Sequence, residues 1–162
     1  MASGKSSFGK KLAKFLEKDF IDLDLYIEEK EACSINEIFN KKGEDYFRKQ
    51  ESIVLEELQN KNAVISLGGG TACFNNNIDF IKKNGIVVYL ELPLKIIIGR
   101  LKQDKENRPL VKELEDRALI DAVTQLFNKR ESYYKKADLI LDVRCSTAKL
   151  KKEVKSFIDD LK

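Results

Sequence analysis

The chain has 162 residues, enough for one domain of ordinary size, which we expect to span 1–162. Its 30 basic and 27 acidic residues are interspersed and give a net charge of +3, which argues against a nucleic-acid partner. No apolar run resembles a membrane span or a signal peptide, and the three cysteines form no Cys-x-x-Cys pair, so we expect a cytoplasmic protein without a membrane partner. The absence of histidine excludes Ser-His-Asp catalysis and the usual zinc hydrolase sites, which leaves a carboxylate, a lysine or a tyrosine as the general base.

The first seven residues, Met-Ala-Ser-Gly-Lys-Ser-Ser, match the second half of a phosphate-binding loop. A full Walker A loop begins with a glycine that four residues separate from its Gly-Lys-Ser, and it follows a buried strand. That glycine would fall two residues before Met1, so we expect this chain to lack the first strand and the first half of the loop. Lys5 would then contact the outer phosphates of a nucleotide, and Ser6 would bind Mg²⁺.

Apolar residues at helical spacing predict an amphipathic helix over about 5–18, and alternation over 20–24 predicts a short strand. The same patterns predict strands at 63–67, 86–92 and 139–143, of which 86–92 is the longest. Further helices are predicted at 25–30, 34–40, 43–60, 75–84, 93–101, 116–136 and from 147 onward, with Ser34 capping the second of these and Ser146 or Thr147 capping the last. Strands alternating with helices predict a three-layer α/β fold with a mostly parallel sheet.

Asp22 and Asp24 are predicted to lie at the carboxyl end of a strand, where open α/β sheets bind ligands. One carboxylate could hold Mg²⁺ through water, and the other could accept a hydrogen bond from an attacking hydroxyl. Taken alone, the pair fits a solvated strand end better than a site.

Three arginines are candidates for binding anions. Arg48 has Glu51 one helical turn later, Arg108 lies in an unpatterned segment at about 102–115, and Arg130 stands among lysines. Taken alone, each of these arginines is best interpreted as an exposed surface cation. A mobile segment at 102–115 could instead carry Arg108 onto phosphates as a lid.

The order of these motifs closely resembles the shikimate kinases. The resemblance rests on Gly-Lys-Ser, Asp-x-Asp, Phe-Arg-x-x-Glu, Gly-Gly-Gly after a buried strand, Arg-Pro-Leu, and an arginine before Tyr-Tyr. It runs from Met1 to about Val143, and Met1 aligns with the methionine of that family's Gly-x-Met-x-x-Gly-Lys-Ser loop.

The resemblance implies transfer of the γ-phosphoryl group of ATP to the 3-hydroxyl of shikimate, with Mg²⁺, on the chorismate route to aromatic amino acids. It implies catalytic roles for Lys5, Asp24 and Arg108, with Asp24 also binding the substrate hydroxyls. The other implied contacts are to ATP through Ser3, Gly4, Lys5, Ser6, Ser7 and Arg108, to shikimate through Phe47, Arg48, Gly69, Gly70 and Arg130, and to Mg²⁺ through Ser6 and Asp22. Glu51 would orient Arg48.

The resemblance also implies a P-loop kinase fold and a five-stranded parallel sheet ordered 2-3-1-4-5, whose first strand is interior. We expect a monomer. Because this chain lacks that strand, we expect it to fold poorly or to bind ATP weakly when isolated. Two alternatives remain open: another small-molecule P-loop kinase, acting on gluconate or a nucleoside monophosphate, and a non-catalytic protein that binds a nucleotide or shikimate.

Overall fold

The structure is a computed structural model that describes residues 3–103 and 116–161. Each predicted helix has a counterpart in it. The helices are α1 (Lys5–Leu16), α2 (Leu23–Glu31), α3 (Ile35–Lys42), α4 (Glu44–Leu58), α5 (Asn77–Asn84), α6 (Leu94–Gln103), α7 (Asp116–Tyr134) and α8 (Thr147–Asp159). A short 3₁₀ helix, Thr71–Cys73, precedes α5.

Four strands, each of four residues, alternate with these helices in the described ranges: β1 (Asp19–Asp22), β2 (Ala63–Ser66), β3 (Val88–Glu91) and β4 (Leu139–Asp142). The prediction that the strand at 86–92 is the longest was wrong. Within the described ranges β3 pairs only with β4, so its ladder ends where these four residue pairs end.

The strands form two parallel pairs, β1 with β2 and β3 with β4, with the registers Phe20 to Val64 and Tyr89 to Ile140. Without its first strand, the predicted order 2-3-1-4-5 leaves the neighbours 2-3 and 4-5, which correspond to β1–β2 and β3–β4. A largely apolar cavity of about 510 Å³ lies between β2 and β3, lined also by α1 and α8.

Among the described residues, buried apolar side chains form three clusters. One joins α2, α3 and α4 around Leu23, Ile38 and Val54, and a second joins α6 to α7. The third brings α1 and α8 onto β3 and β4 and includes Leu12 and Leu141. These contacts hold α1 over the strands, so its N-terminus is fixed beside their carboxyl ends. In the described part of the chain, no helix has both the length and the apolar character of a membrane span.

The first strand ends two residues earlier than predicted. Asp22 is the last residue of β1 and also caps α2, because its side chain accepts a hydrogen bond from the backbone N–H of Asp24 at 3.2 Å. Asp24 therefore lies in the first turn of a helix, and not on a strand beside Asp22. The predicted cap Ser34 is confirmed for α3, and Ser146, one of the two predicted candidates, caps α8.

Candidate functional site

The N-terminus of α1 has the geometry of an anion site. Gly4 precedes it with a φ of 85°, a left-handed conformation that favours glycine, and the helix begins at Lys5. The first intrahelical bond is donated by Phe8 to the carbonyl of Gly4, so the amides of Lys5, Ser6 and Ser7 point out of the helix end. Backbone N–H groups at the positive end of a helix dipole suit a phosphate.

Ser6 faces the end of β1 and contacts Asp22. Its hydroxyl donates to Asp22 Oδ2 at 2.6 Å and lies 3.4 Å from the hydroxyl of Ser66 at the end of β2. Within the described residues no three His, Cys, Asp or Glu side chains cluster closely enough to hold a metal ion. A hydroxyl beside one carboxylate nevertheless fits Mg²⁺, which takes few protein oxygens and completes its shell with water and phosphate.

Asp24 is partly buried among other acidic groups. Burial, together with the charges of Asp22 and Glu51, raises the pKa of its carboxyl from 3.8 to about 6, against the opposing charge of Lys5. Lys5 begins α1, which carries the predicted phosphate ligands, and Asp22, which ends β1, is a predicted Mg²⁺ ligand. A carboxylate that is ionised at neutral pH yet still basic can accept a proton or a hydrogen bond from a hydroxyl.

The loop of three glycines, residues 68–70, which we call the glycine loop, closes over this acidic group. A Cβ on Gly68 would lie 2.8 Å from Asp24 Oδ1, 2.9 Å from Thr71 Oγ1 and 3.2 Å from Glu51 Oε1. A Cβ on Gly70 would lie 2.8 Å from Arg48 Nη1. A side chain at either of these positions would therefore have to displace the carboxylates or the guanidinium.

Arg48 lies on α4 and is buried, with 7% of its surface exposed. Two glutamates flank its guanidinium. It donates from Nη1 to Glu51 Oε2 at 2.8 Å, and to Glu44 Oε1 from Nη2 at 2.7 Å and from Nε at 3.0 Å. Glu51 has no exposed surface. The predicted pairing of Arg48 with Glu51 is present, and Glu44, which sequence reasoning missed, was signalled by its position four residues before Arg48.

Two phenylalanines flank the Arg48 guanidinium. The Phe74 ring centroid lies 4.4 Å from Arg48 Cζ and the Phe47 centroid 5.3 Å away. Phe47 is buried and also packs against Phe39 at 5.1 Å, so it joins the site to the core. The contact from Phe74 was not predicted, because nothing in the spacing of the sequence relates it to Arg48.

Arg130 approaches the glycine loop from α7. It is 7% exposed, and its charge opposes the rise that burial causes in the pKa of Tyr134, whose hydroxyl donates to the carbonyl of Gly69 at 2.6 Å. A cavity of about 100 Å³ lies there, lined in part by Ser3, Lys5, Gly68, Gly69, Arg130 and Tyr134. Burial raises the pKa of the Cys73 thiol, and the charges of both Arg130 and Arg48 oppose this shift, so both cations lie near this thiol.

The structure thus brings predicted site residues that are far apart in the sequence, from Ser3 to Arg130, into one site. The phosphate-binding turn, Asp22, Asp24, Arg48, the glycine loop and Arg130 surround one region at the carboxyl ends of β1 and β2. The helix α6 extends to Gln103, two residues into the predicted lid segment. The rest of that segment, with Arg108, lies outside the described residues.

Parallel strands alternating with helices, a Gly-Lys-Ser helix start and a serine–aspartate pair beside it define a kinase of the P-loop class. A family model described as "Shikimate kinase" matches residues 1–162. The chain belongs to the shikimate kinase family.

Curated relatives and solved structures agree with this assignment. A shikimate kinase of Sulfurihydrogenibium sp. is 43% identical over 140 residues, which are 86% of this chain and 81% of the relative. A crystal structure of shikimate kinase from Bacteroides thetaiotaomicron matches with a TM-score of 0.90 at 33% identity, covering 98% of this chain and 94% of the other. A shikimate kinase from Acinetobacter baumannii, solved in complex with shikimate, matches with a TM-score of 0.88 at 34% identity, covering all of this chain and 90% of that one.

These comparisons confirm the resemblance seen in the sequence and the predicted α/β class. They also confirm that the protein is a kinase of this family with ATP as its co-substrate.

Proposed function

We propose that this protein transfers the γ-phosphoryl group of ATP to the 3-hydroxyl of shikimate, a step toward chorismate and the aromatic amino acids. The observation that carries the proposal is the convergence of Asp24, Arg48 and the glycine loop, because this places a basic carboxylate beside a buried cation. Shikimate presents the matching groups, hydroxyls and one carboxylate. The Acinetobacter baumannii relative solved with shikimate supports the same acceptor.

Asp24 accepts a hydrogen bond or the proton from the attacking hydroxyl. Its raised pKa of about 6 leaves it ionised at neutral pH and makes it a stronger acceptor than an ordinary aspartate. Lys5, whose charge acts on Asp24, contacts the phosphate that moves and holds donor and acceptor together.

Arg48 and Arg130 bind the shikimate carboxylate. A guanidinium has five N–H groups, and three of those on Arg48 donate to Glu44 and Glu51, which leaves one on each terminal nitrogen. Two N–H groups in one plane suit a carboxylate. The backbone of Gly69 and Gly70 would contact the ring hydroxyls. Phe47 supports Arg48 from the core side.

The turn from Ser3 to Ser7 holds the ATP phosphates on the backbone amides of α1. Ser6 and Asp22 would hold Mg²⁺, which would neutralise charge on the ATP phosphates. We also propose, from the Arg-Pro-Leu motif alone, that Arg108 closes over ATP and stabilises charge on the transferred group.

The proposal extends to a single-domain monomer in the cytoplasm. Cys33, Cys73 and Cys145 are free thiols, which fits a reducing compartment. The three apolar clusters share elements with the site, which fits a single domain.

The test is shikimate-dependent release of ADP from Mg-ATP, with gluconate and a nucleoside monophosphate as competing acceptors. Of these three acceptors, we expect turnover only with shikimate. Turnover with another acceptor, and none with shikimate, would refute the proposal. Shikimate binding without turnover would identify a non-catalytic protein. A form extended upstream by an apolar strand and the first loop glycine tests the expected weak ATP binding, because it should bind ATP more tightly.

A further inference from the structure

Thr71 follows the glycine loop and is fully buried beside the acidic group. Its hydroxyl donates to Glu51 Oε1 at 2.5 Å, while the other oxygen of Glu51 accepts from Arg48 at 2.8 Å. The carboxylate of Glu51 has no contact with solvent, so these two donors stabilise its charge.

The position of Thr71 is fixed from a second side. Its carbonyl accepts a hydrogen bond from Asn77 Nδ2 at 2.9 Å, and Asn77 Oδ1 accepts one from the Ser52 hydroxyl at 2.9 Å. Ser52 follows Glu51 on α4. The side chain and the backbone of Thr71 are thus both tied to α4, which prevents its hydroxyl from drifting away from Glu51.

The contact from Thr71 decides how Glu51 meets Arg48. Thr71 holds Oε1, and Oε2 is the oxygen that accepts from the guanidinium. Without the hydroxyl, Glu51 would be free to turn both oxygens toward Arg48 in a two-bond fork, which is the favoured arrangement of such a pair. That fork would consume an N–H group that the proposed function requires for the substrate.

We propose that Thr71 is a positioning residue for the substrate carboxylate, acting through Glu51 on the orientation of Arg48. The inference rests on the proposed function, in which Arg48 binds shikimate. No described contact of Thr71 reaches the α1 phosphate turn, so its effect is confined to the acceptor and does not extend to ATP.

The test compares Thr71→Val, which keeps the shape, with the pair Thr71→Ser and Thr71→Ala, which differ from each other by one oxygen. The dissociation constant of shikimate is measured by calorimetry, and the KM values for shikimate and ATP are measured by ADP release. We expect the Val and Ala variants to bind shikimate about tenfold more weakly, with a matching rise in the shikimate KM and an ATP KM within about twofold. The Ser variant is expected to bind shikimate as the unchanged chain does.

Equal shikimate affinity in the Ser and Ala variants would overturn the inference, as would a rise in both KM values together. If the Val and Ala variants lose their cooperative thermal transition, the Ser variant decides the question. Full affinity in it supports the role of the hydroxyl, and weak binding by a folded Ser variant refutes that role. Failure of the unchanged chain to bind shikimate would overturn the proposed function and this inference with it, whereas binding by that chain isolates the role of Thr71.

Discussion

Gly70 packs directly against the guanidinium of Arg48, and a Cβ on this glycine would lie 2.8 Å from Nη1 and 3.0 Å from Cζ. Its backbone has a φ of −103°, which any residue adopts, so the need for glycine here is one of space alone. We therefore expect Gly70→Ala to displace Arg48 and to raise the shikimate KM about tenfold or more, with a smaller effect on the ATP KM.

Gly99 on α6 provides the matched control, because a Cβ there would meet nothing within 4 Å. Gly99→Ala is expected to leave both KM values unchanged and to stabilise the protein by about 0.5 to 1 kcal/mol through helix propensity. An unaltered shikimate KM in Gly70→Ala would show that the glycine loop does not constrain Arg48.

Arg48→Lys tests the geometry of the anion site at constant charge. Lysine lacks the planar fork, so it cannot serve Glu44, Glu51 and a substrate carboxylate together. We expect the shikimate KM to rise by about tenfold to 100-fold and the melting temperature to fall, since Glu51 loses the geometry of its buried partner. The reverse exchange on the exposed neighbour, Lys49→Arg, serves as the control and is expected to change neither quantity.

Asp22→Asn tests the proposed magnesium ligands. The amide keeps the shape of the carboxylate that Ser6 contacts at 2.6 Å but removes its charge. We expect the Mg²⁺ concentration for half-maximal activity to rise about 10- to 100-fold, with partial recovery of activity at high Mg²⁺. Asp19→Asn, at the exposed start of β1, is the control, and an identical Mg²⁺ dependence in the two variants would refute the assignment.

Much of the site could be predicted from the sequence because its parts are local. The Gly-Lys-Ser turn needs only a glycine that adopts a positive φ and a helix start, and the Arg48–Glu51 pair needs only helical spacing. Thr71 and Tyr134 could not be predicted in this way. Their hydroxyls contact Glu51 and the carbonyl of Gly69 across 20 and 65 positions, and no periodicity records such a separation.

The fold shows the same division between local and distant causes. Caps and helices were predicted well, whereas the extent of the strands was not. Strand length depends on the partner: Asp22 caps a helix and ends β1, and β3 extends only as far as its pairing with β4. Strand propensity overestimated the length of both strands, because it takes no account of the side chain that ends β1 or of the partner that limits β3.

Asp24 provides a prediction in which activity and stability change in opposite directions. Its carboxyl has a pKa of about 6 in the folded protein, raised by burial and by Asp22 and Glu51 from the value of 3.8 expected in the unfolded chain. Between these values the folded state binds more protons than the unfolded state, so raising the pH from about 4 to 6 lowers the free energy of unfolding. Turnover shows the opposite trend, because the acceptor must be ionised, and kcat/KM should fall about tenfold per pH unit below pH 6.

Asp24→Asn separates these two effects at neutral pH. The neutral amide avoids the cost of a charged group in this acidic pocket, so we expect the free energy of unfolding at pH 7 to rise by about 1 to 3 kcal/mol. We expect kcat to fall at least about 100-fold, because the acceptor for the attacking hydroxyl is lost. Urea titration and ADP release measure the two quantities, with Asp79→Asn, at an exposed position of α5, as the control. A variant that is both less stable and inactive would mean that Asp24 supports the fold, and it would contradict the role proposed here.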